Sequence, residues 1–128
     1  MNINITRANL LAALTGVSGA LANHATMPIL GHVALGAVDG LLRVVASNIE
    51  LELISHAEAD IKENGAICVP GKKLLDIVKA SNAETISLRL VNDRLKVKSG
   101  KSNYTLSTLP EGDFPELGGN EPMTPGTD

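Results

Sequence analysis

Three lysines on one short amphipathic segment are the residues whose types and spacing most suggest chemistry. If residues 72–79 form a helix, Lys72 and Lys79 lie opposite an apolar stripe, with Lys73 at its flank. Ammonium groups presented in this way could bind phosphates, because that contact requires charge and position but no base-specific donor. The alternative is an ordinary solvated face, since polar residues commonly lie opposite the core stripe of a helix.

Other residue types that carry chemistry are sparse or poorly placed for it. The three histidines, His24, His32 and His56, are 8 and 24 residues apart, and none has a second ligand at helical spacing. The single cysteine, Cys68, lies in an apolar run and is expected to be a small buried side chain. We therefore predict no metal site, and a lone unpaired cysteine is typical of a reducing cytoplasm.

No pattern typical of an enzyme occurs either. Glu50 and Glu52 alternate with apolar residues, which indicates a strand with an outward acidic face rather than a carboxylate in an apolar pocket. The sequence has no glycine-rich phosphate loop and no nucleophile elbow. Tyr104 and Phe114 are the only aromatic residues, too few for a base-stacking platform, so a single-strand binder is not expected. We predict no catalytic residue and no cofactor.

Composition limits where nucleic acid could bind. The chain has 128 residues, 44% of them hydrophobic and only 2% aromatic, which predicts one domain with an aliphatic core. Its formal net charge is −3, whereas a nucleic-acid-binding domain is usually basic, so any DNA-binding charge must be local. No signal peptide is evident and no apolar stretch approaches the ~20 residues of a membrane span, which predicts a cytoplasmic protein with no membrane partner.

An internal repeat predicts how these residues are positioned. Ile3-Asn4-Ile5 opens a short strand that precedes leucines at helical spacing. The segment 64 residues later, Ile67-Cys68-Val69, likewise precedes apolar residues at helical spacing. Hairpin turns follow at Asp39-Gly40 and Asn92-Asp93, 53 residues apart, each within a run of three strands. Thr6 is expected to cap the first helix. The predicted strands are residues 3–5, 32–38, 41–46, 50–56, 67–69, 85–91, 94–98 and 103–108.

The repeat predicts an α+β fold of two β-α-β-β-β units, pseudo-repeats 1–58 and 66–109, within one domain of residues 1–117. A single unit cannot bury both its sheet face and its helix, so we expect two helices packed on one side of antiparallel sheets. Residues 118–128 contain turn residues and almost no apolar content, which is typical of a flexible tail or the start of an interdomain linker.

Several local strings, taken in order, resemble those of one family. They are Met27-Pro28-Ile29-Leu30-Gly31, Val69-Pro70-Gly71-Lys72-Lys73, Ser107-Thr108-Leu109-Pro110 and Asp113-Phe114-Pro115. Together with the doubled unit they resemble domain one of the bacterial DNA sliding clamp family, the β subunit of DNA polymerase III, over residues 1–117.

The resemblance implies a DNA-clamp fold and a non-catalytic role as a processivity factor in DNA replication. Clamps of this family have three such domains per chain and close head-to-tail, so that six domains encircle duplex DNA without sequence specificity. The resemblance also implies weak, phosphate-mediated contact with double-stranded DNA and an acidic outer surface. A clamp loader and a replicative polymerase are the implied partners of the complete assembly, and the family's peptide-binding cleft lies in its later domains.

The resemblance assigns a DNA-binding set. Lys72, Lys73 and Lys79 match basic positions on an inner helix, and His24 matches a loop position where the family often has an arginine that touches DNA. Because histidine is mostly neutral near physiological pH, a contact from His24 stays open. Arg7, at the start of the first helix, completes the predicted set.

The last strand carries the predicted protomer interface. The resemblance places Tyr104 and Leu106 on an edge strand that meets another protomer, and Lys101 and Asn103 lead into it. An edge strand has unpaired amides and carbonyls that must be paired, covered or charged, so we expect this edge to continue a neighbour's sheet. The alternative function is a stand-alone clamp-like domain that binds a full clamp through its free sheet edges.

Overall fold

The computed structural model describes residues 1–21, 28–48, 50–110 and 112. Along these residues the chain forms two α-helices, α1 (Arg7–Val17) and α2 (Gly71–Ala80), and short 3-10 helices at Ser18–Ala20 and Pro28–Gly31. The strands are β1 (Asn2–Thr6), β2 (His32–Val38), β3 (Leu41–Ser47), β4 (Glu52–Glu58), β5 (Asp60–Glu63), β6 (Gly65–Pro70), β7 (Thr85–Val91), β8 (Arg94–Ser99) and β9 (Ser102–Ser107).

The structure confirms the α+β fold class of two helices and antiparallel sheets. The helices begin at Arg7 and Gly71, 64 residues apart. Both hairpin turns lie where the sequence predicts them, and their central residues have positive φ, for example 52° at Asp39 and 62° at Asp93. These angles are typical of the tight turns that match the twist of two paired strands.

Two details of the predicted strands are wrong. The strand predicted at residues 50–56, β4, begins at Glu52 rather than Glu50, because the Asn48 side chain accepts hydrogen bonds from the amides of Glu50 (3.2 Å) and Leu51 (2.8 Å). Strand β5 was not predicted, since three of its four residues are charged and it has no apolar alternation. It forms because it pairs antiparallel with β1 at the edge of a sheet, where charged residues are tolerated.

The nine strands form two antiparallel sheets that each combine both units. The five-stranded sheet has the order β5-β1-β7-β8-β9, and the four-stranded sheet has the order β4-β3-β2-β6. The first strand of each unit therefore pairs with the second strand of the other unit, β1 with β7 and β6 with β2. This exchange joins the two units into a single structure.

Each unit also closes on its own first strand. The chain passes from β4 through Ala59 into β5, which lies beside β1 in the other sheet. After β9, Leu109 forms a two-hydrogen-bond bridge with Cys68 of β6, at 3.0 and 2.9 Å. The segment after β4 of the four-stranded sheet thus joins the five-stranded sheet, and the segment after β9 of the five-stranded sheet joins the four-stranded one.

The core lies between the two helices and the inner faces of both sheets, and it is aliphatic, as the low aromatic content predicts. Its largest fully buried side chains are Ile3, Ile5, Leu10, Leu14, Val17, Leu35, Leu42, Leu74, Ile86, Leu88 and Leu95. A second, small cluster on the other face of the four-stranded sheet contains Cys68, Ala34 and Val45, covered by Ile29 and Leu109. Cys68 is buried, as predicted.

Close contacts fix both helices on the sheets. Thr6 caps α1, as predicted, by accepting a hydrogen bond from the Asn9 amide at 3.1 Å. A Cβ at Gly16 of α1 would lie 2.7 Å from the Ser55 Oγ of β4. A Cβ at Gly71 would lie 2.7 Å from a methyl group of Leu21, so glycine permits the close approach at the start of α2. Both helices thus present one outward face away from the core.

Candidate nucleic-acid interface

The outward face of α2 carries the three predicted lysines. Lys72, Lys73 and Lys79 are exposed, and Asp76 is the one acidic residue among them. The opposite side of the helix is buried in the core through Leu74, Leu75 and Val78. Among the residues that the structure describes, none of the three ammonium groups has an ion-pair or hydrogen-bond partner. Their charges therefore face solvent and are available to an anion.

The outward face of α1 lies beside that of α2, and Arg7, the first residue of α1, is its only charged side chain. The two helices contact each other and bury their apolar stripes in the same core. The exposed residues of α1 are Ala8, Asn9, Ala12, Thr15 and Gly16. The paired helices therefore form one surface, hereafter the helix face, whose positive charge comes from α2 and from Arg7.

Arg7 connects the start of α1 to the end of α2. Its Nε donates to the carbonyl oxygen of Val78 at 2.9 Å, and its Nη2 donates to that of Lys79 at 3.1 Å. These carbonyls belong to the last turn of α2, which carries the negative end of the helix dipole, and that of Val78 also accepts from the Ser81 amide at 3.2 Å. Arg7 thus places its guanidinium next to Lys79 on the helix face. No local sequence pattern predicts these two contacts, because Arg7 is 71 residues from Val78 and 72 residues from Lys79.

We expect Arg7→Ala to destabilise the domain by about 1–2 kcal/mol, because two terminal carbonyls of α2 lose a charged donor. Arg7→Lys keeps the charge but not the two-pronged donation, so it should recover part of the loss. Urea unfolding followed by circular dichroism measures both variants. Equal stability of Arg7→Ala and the parent chain would show that this cap contributes nothing to the fold.

The predicted interface residues gather at one edge of the five-stranded sheet. Within the described ranges β9 pairs with β8 alone, so its other side is free. Lys101 and Asn103 are exposed, whereas Leu106 is buried in the core and Tyr104 is half-buried against it. A depression of about 350 Å³ reaches from the end of α2 at Ala80 to this edge. The edge and the helix face are therefore neighbouring surfaces.

Several predicted features lie beyond these surfaces. His24 and residues 118–128 fall outside the described residues, and the domain boundary stays a prediction. No group of three or more potential metal ligands occurs in the part of the chain that the structure describes. None of its described helices has the length and apolar character needed to cross a membrane.

Comparison with known proteins decides the family. The family described as DNA polymerase III beta subunit, N-terminal domain, matches residues 1–118. The chain belongs to this family. Its relatives include proteins named beta sliding clamp: one from Vibrio harveyi is 41% identical over 120 residues, covering 91% of this chain and 82% of that protein. One from Escherichia coli K12 is 38% identical over 119 residues, covering 91% of this chain and 32% of that protein.

Solved clamp structures share the fold. The DNA polymerase sliding clamp of Caulobacter crescentus matches with a TM-score of 0.88 at 34% identity, over 91% of this chain and 32% of that one. The DNA polymerase III subunit beta of Pseudomonas aeruginosa matches with a TM-score of 0.86 at 37% identity, over the same shares of the two chains. The chain thus spans about one third of these sliding clamps, as it does of the E. coli relative.

These matches confirm the family that the local strings indicate. The chain is a DNA sliding clamp domain, and the alternative of a stand-alone interaction domain is not favoured. Sequence reasoning found the lysines of α2 from helical periodicity, but it did not find the link from Arg7 to α2.

Proposed function

We propose that this domain forms one segment of a ring around duplex DNA and serves in the cytoplasm as a non-catalytic processivity factor of replication. The observation that carries the proposal is the helix face, where Lys72, Lys73 and Lys79 have no partner among the described residues and Arg7 lies beside the end of α2. In the ring, this face would point towards the phosphates. His24 belongs to the proposed set through its sequence position alone.

The chemistry of the helix face suits sliding rather than sequence recognition. Ammonium and guanidinium groups attract phosphates equally along any sequence, and phosphate contacts carry no direct base information. Few charges act at once, so the domain can move along the duplex, and closure of the ring provides retention. A net charge of −3 is compatible with this role because Lys72, Lys73 and Lys79 give the helix face a local positive charge.

The free edge of β9 supplies the proposed contact with the next domain or protomer, head-to-tail. Lys101 and Asn103 would contribute polar contacts there, while Tyr104 and Leu106 hold the strand on the core. Unpaired amides and carbonyls at a sheet edge are a template for another strand. The clamp loader and replicative polymerase are proposed partners of the complete assembly.

A duplex titration tests the proposed function. The domain should bind two unrelated 12-base-pair duplexes equally, with a dissociation constant of ~10⁻⁴ M or weaker at physiological salt, and more tightly as salt is lowered. Backbone amide shifts of α2 measure the binding at the helix face. Sub-micromolar, sequence-specific binding would contradict the proposal, as would α2 shifts that do not respond to DNA.

Hydrogen exchange tests the edge separately. In the isolated chain, the β9 amides that do not bond to β8 should exchange rapidly, because they face solvent. In a complete clamp that includes this domain, the same amides should become protected by the strand of the neighbouring domain. The amides of β3, which is paired on both sides, are the internal control and should not change. Unchanged exchange along β9 in the closed ring would exclude it as the joining edge.

A further inference from the structure

The resemblance implies an acidic outer surface, but the structure places a second cluster of positive charge on the far side of the five-stranded sheet from the helices. Leu88, Leu95 and Val97 point into the core, so the alternating residues of the same strands point outward. We call this surface the outer basic face. Its outward polar and charged side chains include Asn2, Asn4, Ser87, Arg89, Arg94, Lys96, Lys98, Asn103 and Thr105. Four of them are cations, and no outward side chain of β1, β7, β8 or β9 is a carboxylate.

Within the described part of the chain, no carboxylate pairs with the cations of the outer basic face. Arg89 lies directly across from Lys96 in the register of β7 and β8, and like charges in such a pair destabilise a sheet. The Lys96 ammonium donates to the Thr105 hydroxyl at 3.2 Å, which leaves its charge uncompensated. The acidic residues of the nearby strand β5 are separated from Arg89 by β1 and are engaged elsewhere. They are Asp60, paired with Lys62, and Glu63, paired with the amino group of Met1.

The geometry of these cations suits a linear polyanion. Arg94, Lys96 and Lys98 alternate along β8 and form a stripe of about 13 Å, with Arg89 beside its middle. A depression of about 330 Å³ lies on this stripe. Its lining consists entirely of side chains that can donate a hydrogen bond: Asn2, Ser87, Arg89, Lys96, Lys98 and Asn103.

We propose that the outer basic face binds the phosphate backbone of a second segment of duplex DNA, outside the ring. Arginine, lysine, asparagine and serine are the side chains that proteins use for phosphates. A peptide partner would need an apolar anchor, and half-buried Val91 is the one apolar side chain among the outward residues of β7 and β8. The face has no aromatic residue for stacking bases, so the charge density of a duplex favours it over a single strand.

Two variants with equal loss of charge test this proposal. The outer variant carries Arg89→Gln, Lys96→Gln and Lys98→Gln, and the helix variant carries Lys72→Gln, Lys73→Gln and Lys79→Gln. All six residues are exposed, so both proteins should fold, which thermal unfolding checks. A 12-base-pair duplex is titrated at several salt concentrations, and amide shifts of β7 and β8 report the outer basic face while those of α2 report the helix face.

In the helix variant, we expect β8 shifts to persist with an affinity within about twofold of the parent chain, since its phosphate contacts are intact. The outer variant should lose at least about tenfold in affinity at the outer basic face, with a salt slope smaller by about 2–3. The proposal would be overturned if the β8 amide shifts did not change on adding duplex, or if both variants lost the same affinity at the outer basic face. Neither result would affect the test of the helix face by the α2 amide shifts. Tighter binding of a dT12 strand or of a poly-glutamate peptide would overturn the assignment to duplex DNA.

Discussion

Replacing both Lys72 and Lys79 with glutamate is expected to abolish measurable duplex binding at the helix face. Both side chains are exposed and have no partner in the described part of the chain, so their charges act directly on an approaching phosphate. Each phosphate contact contributes about 0.9 to the slope of log affinity against log salt, so losing two contacts should lower the slope by about 2. The added carboxylates repel phosphates, which makes the expected loss of affinity larger than about tenfold at low salt.

A matched charge reversal provides the control for this experiment. Lys96→Glu with Lys98→Glu changes the net charge equally but lies on the opposite side of the sheet from the helices. Amide shifts of α2 should then report an affinity close to that of the parent chain. If both double variants weaken α2 binding equally, net charge rather than the helix face governs DNA contact, and the proposed orientation of the domain would be wrong.

Replacing Leu74 with alanine is expected to destabilise the domain by about 2–5 kcal/mol, because the removed methyl groups leave a cavity in a packed core. Leu74 is completely buried, on the side of α2 that contacts the sheets. Domains of this size have a free energy of unfolding of about 5–15 kcal/mol, so this loss is a large fraction of it. Urea unfolding at two wavelengths measures it, and the exchange of α2 amides shows whether the helix loosens.

Asp76→Ala on the same helix is the control for the Leu74 experiment. Asp76 is exposed on the outward face, so its removal should change the free energy of unfolding by less than about 0.5 kcal/mol. It should also raise the affinity of the helix face for DNA slightly, since a negative charge between the lysines is lost. A Leu74→Ala protein as stable as Asp76→Ala would mean that α2 is not anchored through this residue.

The sequence determined the features that depend on neighbours along the chain. Helical periodicity placed Lys72 and Lys79 opposite Leu74, because side chains three and four residues apart share a face of a helix. The turn residues at Asp39-Gly40 and Asn92-Asp93 fixed both hairpins, since these residue types accept positive φ. Short local strings of residues also indicated the family, and the family match over residues 1–118 confirms it.

Only the tertiary structure decided how the two units combine. The pairing of β1 with β7 and of β6 with β2 depends on hydrogen bonds between segments far apart in sequence, and every residue except proline offers the same backbone donor and acceptor. The charged strand β5 exists because β1 offers it an open edge. Arg7 caps α2 across 71 residues, and the cations of β7 and β8 meet on the outer basic face through their register. Such contacts leave no local period in the sequence, so they become visible only when the chain is folded.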